Sequence, residues 1–214
     1  MKKNSLLFII SLLLITNINA QINFGIKTSF GINNFFIVQK NDYSSSQTYF
    51  TRKQKEEIFL PYISKFTYSF GINSSLNFYK KFSIGIDLLL TKKGSGIDYF
   101  DDGDGFIIKN YKEEFLLFEI PIYLRYNINK FFNIDIGIVN NIYLKDFSSK
   151  NIILLTEKKK YNYGIYSAIN INIFKKLMFS IIYQSDLSDF GSNQIANLYF
   201  YNHSLRFGLS YTIL

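Results

Sequence analysis

Six charged residues lie within segments of the chain that otherwise alternate apolar with small side chains. They are Lys27, Asp87, Glu119, Arg125, Asp135 and Arg206. Two carboxylates such as Asp87 and Glu119 could act as a general acid and a general base, and a row of charges could line a path for ions. Because unpaired charges are costly in a medium of low dielectric, we predict instead that the six neutralise one another. The expected network joins Glu119 and Asp87 to Arg125 and Arg206.

A second candidate for chemistry is the only histidine of the chain, His203, which precedes Ser204. A histidine that activates a serine would indicate a lipid-modifying enzyme. Adjacent residues of a strand point to opposite faces, so this pair is poorly placed for a hydrogen bond. We therefore predict that His203 lies at the rim of the fold and that the protein is not an enzyme.

A third candidate is a short acidic segment in which Asp101, Asp102 and Asp104 lie among glycines. Carboxylate ligands on such a segment suit Ca²⁺. The twelve-residue calcium-binding pattern does not fit, because Phe100 takes the place of the first ligand and Tyr111 that of the last. With no cysteine and one histidine, the usual transition-metal centres are excluded too. We predict a turn, no resident metal and no cofactor, and keep the three aspartates as a weak cation candidate.

The elements that must position these residues are strands. In residues 115–126, FLLFEIPIYLRY, the even positions are all apolar or tyrosine, and the odd positions carry every charge. This period of two is typical of a strand with two different faces. Seven further segments repeat it, at residues 22–32, 66–78, 84–91, 132–142, 163–173, 179–184 and 205–213. The sequence thus predicts an all-β fold of eight strands. Pro121 predicts a bulge or a locally unpaired edge.

The connections between these strands alternate in length. The long ones are residues 37–62, 93–114, 144–160 and 186–199, and the short ones are 80–81, 127–130 and 174–176. Such asymmetry is typical of a closed, antiparallel, up-and-down transmembrane barrel with both termini at the short-turn end. The alternative with the same strand count is a soluble barrel with its apolar residues inside.

The less apolar face distinguishes the two barrels. It is rich in Gly, Ser, Asn and Thr rather than in the Lys and Glu of a water-exposed surface, and small side chains suit a narrow lumen. Aromatic residues gather near the predicted short turns and long loops, where they would form two interfacial belts. The belt at the short turns would comprise Tyr79, Phe82, Phe131, Phe132 and Phe174. The belt at the long loops would comprise Phe35, Phe36, Tyr62, Tyr143, Tyr161, Tyr199 and Phe200.

The first twenty residues have a basic start, a ten-residue apolar run and a small residue at position 20. We predict a cleaved signal peptide at 1–20 and a barrel domain at 21–214. The formal net charge of +8 would suit nucleic acid, but an exported chain meets phosphate-rich lipid instead. The expected partners are outer-membrane lipid and lipopolysaccharide, the barrel-assembly machinery during insertion, and envelope or secretion proteins.

Three stretches carry a family resemblance. They are INFGIKTSFGIN at residues 22–33, EIPIYLRYNI at 119–128 and GLSYTIL at 208–214. Together they resemble the PorT-like outer-membrane β-barrel family of Gram-negative bacteria. The resemblance implies a barrel in the outer membrane with both termini periplasmic and, for some relatives, a part in protein secretion. We predict a non-enzymatic protein with a structural or loop-mediated binding role; the alternatives are an accessory component of secretion, a lipid-modifying enzyme and a narrow pore.

Overall fold

The computed structural model of the chain describes residues 21–39, 63–101, 107–147, 157–193 and 198–214. The predicted signal peptide lies outside these ranges. Eight long strands are present, as predicted, and each is longer than its predicted segment. They are β1 (Gln21–Gln39), β2 (Ile63–Tyr79), β3 (Phe82–Asp101), β4 (Ile107–Asn127), β5 (Phe132–Asp146), β7 (Tyr161–Asn172), β8 (Leu177–Asp186) and β10 (Leu198–Thr212). Two short strands, β6 (Glu157–Lys158) and β9 (Gly191–Asn193), were not predicted.

The long strands form one closed antiparallel barrel. Each pairs with the next along the chain, and β1 pairs with β10 from Gly25 opposite Thr212 to Gln39 opposite Leu198. The short strands extend the sheet at one end, where β9 pairs with both β10 and β6. Closure leaves no long strand with a free edge, so the backbone hydrogen-bonding groups of the wall find partners within the sheet. The predicted closed up-and-down topology is confirmed.

The two ends of the barrel differ. Residues 80–81, 128–131 and 173–176 connect strands at one end, which we call the short-turn end. The start of β1 and the finish of β10 also lie there, where the amide of Phe24 donates to the carbonyl of Leu214. At the opposite end, the long-connection end, the predicted loop at 93–114 is wrong in extent, because β3 and β4 continue as a paired hairpin to Asp101 and Ile107.

The two faces of the wall are inverted relative to a protein in water. Outward side chains are apolar and exposed, with Ile22 64% and Ile136 67% accessible. Inward side chains are polar and buried, including Lys27, Glu119 and Arg206. This exposure pattern is the predicted one, with the apolar face outside. Among the described residues, no helix is long and apolar enough to cross a bilayer.

Pro121 interrupts the wall on one side only. Ile86 pairs with Ile122 and Leu89 with Glu119 in an unchanged register, and the two positions between them are not paired. On the other side the pairing with β5 continues through Pro121. A proline has no amide donor, so the ladder between β3 and β4 opens locally without a bulge. Of the two predicted outcomes, the structure has the unpaired edge.

Candidate functional site

The middle of the lumen holds an ion pair enclosed by two tyrosines. The Nζ of Lys27 lies 2.7 Å from the Oδ2 of Asp87 and donates to the hydroxyl of Tyr166 at 3.0 Å. The hydroxyl of Tyr123 donates to the Oδ1 of Asp87, also at 3.0 Å. The two tyrosine rings stack with their centroids 5.3 Å apart. Asp87 therefore pairs with a lysine, and its predicted pairing with an arginine is wrong.

A second cluster lies toward the long-connection end and is centred on Glu119. The Oε2 of this carboxylate accepts from Arg206 Nη1 at 2.9 Å and from Thr91 Oγ1 at 2.8 Å. Its Oε1 lies 2.5 Å from Lys93 Nζ. Glu119 and Arg206 were expected together, but Lys93 was missed because it was placed in a loop. Its position, two residues after Thr91 on the inward face of β3, was the signal that could have found it.

The third cluster lies toward the short-turn end. Arg125 donates from Nε to Asp135 Oδ1 at 2.7 Å and from Nη2 to Asp135 Oδ2 at 2.9 Å. The two residues lie directly opposite each other in the pairing of β4 with β5. Two parallel hydrogen bonds between a guanidinium and a carboxylate form a strong and directional pair. Arg125 thus pairs with neither Asp87 nor Glu119, and the clusters described above stand in place of the single predicted network.

Asp186, at the end of β8, is a further buried carboxylate that sequence reasoning missed. Its Oδ2 accepts from Asn162 at 2.7 Å and its Oδ1 from Asn141 at 3.4 Å. The charged side chains of these clusters are Asp87, Glu119, Asp135 and Asp186, and Lys27, Lys93, Arg125 and Arg206. Among the described residues, the carboxylates of Glu113 and Asp189 are buried as well.

A cluster of buried aromatic side chains lies in the lumen toward the long-connection end. Phe35 and Phe115 stack at 5.7 Å, and Phe190 packs on them at 4.7 and 5.4 Å. Phe200 packs edge-on against Phe190, whose amide donates to the carbonyl of Phe200 at 2.9 Å. The assignment of Phe35 and Phe200 to an outer belt is wrong, because their parity along β1 and β10 turns them inward. A void of about 10 Å³ beside the cluster has room for one water molecule.

Gly85 leaves the space that the central tyrosine pair needs. A Cβ at this position would clash with the ring of Tyr123, which reaches Asp87 across the backbone of Gly85. We expect Gly85→Ala to lower the free energy of unfolding by about 1–3 kcal/mol, because the displaced ring loses its hydrogen bond. Urea unfolding followed by circular dichroism measures this.

The matched control is Gly208→Ala, also on the lumen face. There the nearest atom to an added Cβ is the Cδ1 of Ile182 at 3.1 Å, the end of a flexible side chain. We expect this variant to stay within about 1 kcal/mol of wild type. Equal losses at Gly85 and Gly208 would show that the tyrosine ring is not what requires the glycine.

The remaining candidates do not form a site among the residues that the structure describes. His203 faces outward, where its Nδ1 lies 3.1 Å from the hydroxyl of Tyr183, while Ser204 faces inward with its Oγ 3.4 Å from Gln184 Oε1. The two residues thus lie on opposite faces and form no dyad. Asp102 and Asp104 lie outside the described residues, and Asp101 ends β3. Within the described ranges, no three His, Asp or Glu side chains are grouped as metal ligands.

Comparisons with known proteins show that the fold of this chain is similar to that of solved outer-membrane β-barrels. No family model matches the chain, so membership of the PorT-like family stays a prediction. No curated protein matches it either. Among solved structures, Ail of Yersinia pestis is 7% identical over 88% of this chain and 98% of Ail, with a TM-score of 0.38. OprG of Pseudomonas aeruginosa is 8% identical over 90% of this chain and 95% of OprG, with a TM-score of 0.44. Scores this low carry no functional argument.

Proposed function

We propose that the protein is a non-enzymatic β-barrel of the Gram-negative outer membrane, with a structural or binding role in the cell envelope. The observation that carries the proposal is the combination of an apolar outer wall with a lumen occupied by paired charges. An outer wall of this kind is suited to lipid, and a lumen of this kind is suited to rigidity rather than transport.

The outer wall supports insertion into a bilayer. Along β5, for example, the outward residues Ile134, Ile136 and Ile138 follow one another with no charged side chain between them on that face. Every long strand contributes exposed aliphatic or aromatic side chains, so the apolar surface is continuous around the barrel. An apolar surface of this extent on a protein in water would drive aggregation, whereas acyl chains cover it without cost.

The orientation follows from the asymmetry of the two ends. Outer-membrane barrels place short turns in the periplasm and longer connections outside. The short-turn end of this barrel would therefore face the periplasm, together with the start of β1 and the finish of β10. Specificity for any envelope partner would then reside in the connections at the other end, because the wall faces lipid and the lumen is filled.

A conductance measurement tests the filled lumen. We expect the full chain reconstituted in a planar phosphatidylcholine bilayer to show no conductance steps, because the Glu119 cluster, the tyrosine pair and the aromatic cluster occupy successive levels of the lumen. A general porin inserted in parallel serves as the positive control. Regular ohmic steps from the purified protein would contradict the proposal and favour the narrow pore.

A further inference from the structure

A cavity opens at the short-turn end of the barrel, and none of the residues of the three ion-pair clusters lines it. Its volume is about 360 Å³. Three lysines, four asparagines and one isoleucine line it: Lys80, Lys81, Lys130, Asn127, Asn129, Asn133, Asn172 and Ile128. No carboxylate is among them. We call this cavity the lysine vestibule.

The lysines of the vestibule lack the neutralisation found in the lumen. Among the residues that the structure describes, none of Lys80, Lys81 and Lys130 forms an ion pair, whereas Lys27 and Lys93 each lie within 2.7 Å of a carboxylate oxygen. Lys81 lies over the ring of Tyr126, 5.9 Å from its centroid, and Lys130 lies 4.9 Å from that of Phe131. Such contacts orient an ammonium without cancelling its charge.

The turn that carries Lys130 is held in place by asparagines. The Oδ1 of Asn129 accepts from the amides of Phe131 and Phe132 at 2.8 and 2.9 Å. The Nδ2 of Asn172 donates to the carbonyl of Lys130 at 3.0 Å. One backbone hydrogen bond, from the amide of Asn127 to the carbonyl of Lys81 at 2.8 Å, joins the start of this turn to the turn between β2 and β3. The three ammonium groups therefore project from fixed backbone positions, which lowers the entropic cost of binding.

We propose that the lysine vestibule binds a phosphate-bearing anion. A phosphomonoester or pyrophosphate carries about two negative charges and several acceptor oxygens, which suits three ammonium groups better than one carboxylate does. Asn133 and Asn172 line the same cavity as the lysines, and the Nδ2 of Asn133 donates to the Oδ1 of Asn172 at 3.3 Å. The phosphate could belong to a soluble molecule or to a lipid headgroup, since both reach this end of a membrane barrel.

The test uses the full chain in a zwitterionic detergent with inorganic pyrophosphate as the probe. Isothermal titration should show saturable binding at one site. Replacing Lys80, Lys81 and Lys130 together with glutamine should weaken it by about tenfold or more, given the strength of charged hydrogen bonds at a solvent-exposed site. The matched control is Lys175→Gln with Lys176→Gln, which removes two lysines from a turn at the same end that does not line the cavity.

We expect the control to change the affinity by less than about twofold, since charges outside the cavity act only at a screened distance. Unheated gel mobility, compared with that of boiled samples, verifies that both variants fold. The absence of saturable binding, or an equal loss in the two variants, would overturn the proposal and leave a general attraction of basic turns for anions.

A second measurement identifies the source of the phosphate. Native mass spectrometry compares the lipids retained from micelles that contain equal amounts of phosphatidylcholine and phosphatidylglycerol. Selective retention of phosphatidylglycerol by wild type and not by the triple glutamine variant would assign the vestibule to lipid headgroups. Pyrophosphate binding without such retention would assign it to soluble phosphorylated molecules. Both results support the site.

Discussion

Glu119→Gln is expected to lower the free energy of unfolding by about 3–5 kcal/mol, because it leaves buried cations without their counter-charge. The Nζ of Lys93 and the Nη1 of Arg206 lie 2.5 and 2.9 Å from the Glu119 carboxylate, and all three side chains are almost fully buried. Glutamine preserves the shape, so the variant creates no cavity and removes only the charge. Urea unfolding of the protein in phosphatidylcholine vesicles, followed by circular dichroism, measures the loss.

The matched control is Glu114→Gln on the same strand. Glu114 pairs with Lys92 at 2.8 Å, but both side chains are about 30% exposed, so the expected change is about 0–1 kcal/mol. Replacing Lys93, Glu119 and Arg206 together with apolar residues of similar volume, and Asp186 with asparagine, should recover most of the stability, because two cations and two carboxylates are then removed together. A loss at Glu119 no larger than that at Glu114 would show that the cluster is not an interacting buried unit.

Ile138→Lys is expected to destabilise the membrane-inserted protein by about 2–4 kcal/mol, as a charge on the lipid face near the bilayer midplane does. Ile138 lies outward near the middle of β5 and is 52% exposed. If the outer wall faced water, the same substitution would replace an exposed apolar side chain with a soluble one at little cost. The sign and size of the change thus test which medium surrounds the barrel. Urea titration in phosphatidylcholine vesicles measures it.

Leu144→Lys provides a control on the same strand with the same 52% exposure. Leu144 lies close to the long-connection end, near the expected interface, so the cost should fall to about 0–1 kcal/mol. A difference between two equally exposed positions can then be attributed to depth in the bilayer. Equal and small effects at both positions would contradict insertion of the wall into lipid.

The ion pairs also act as braces across the barrel. Lys27–Asp87 joins β1 to β3, and Glu119–Arg206 joins β4 to β10, over sequence separations of 60 and 87 residues. Each brace links strands that are not neighbours in the sheet. A braced interior of this kind is suited to holding the wall rigid.

The sequence by itself determined the strand count, the antiparallel order and the inversion of the two faces. These properties are local, because the parity of a residue along a strand decides its face whatever the rest of the chain does. The inward placement of Lys27, Asp87, Glu119 and Arg206 could be predicted for this reason. By the same parity Phe35 belongs inside, and it was misassigned only because its aromatic character was weighed above its position.

Only the tertiary structure determined which charged side chains form ion pairs with each other and how far the strands extend. Ion-pair partners depend on the tilt and stagger of the strands in the closed barrel. This arrangement places Asp87 beside Lys27 and Arg125 beside Asp135. Beyond the apolar belt both faces of a strand meet polar surroundings, so the alternation that reveals a strand disappears while its hydrogen bonds continue. For this reason the sequence pattern assigned Lys93 to a loop, although its side chain lies in the lumen and pairs with Glu119.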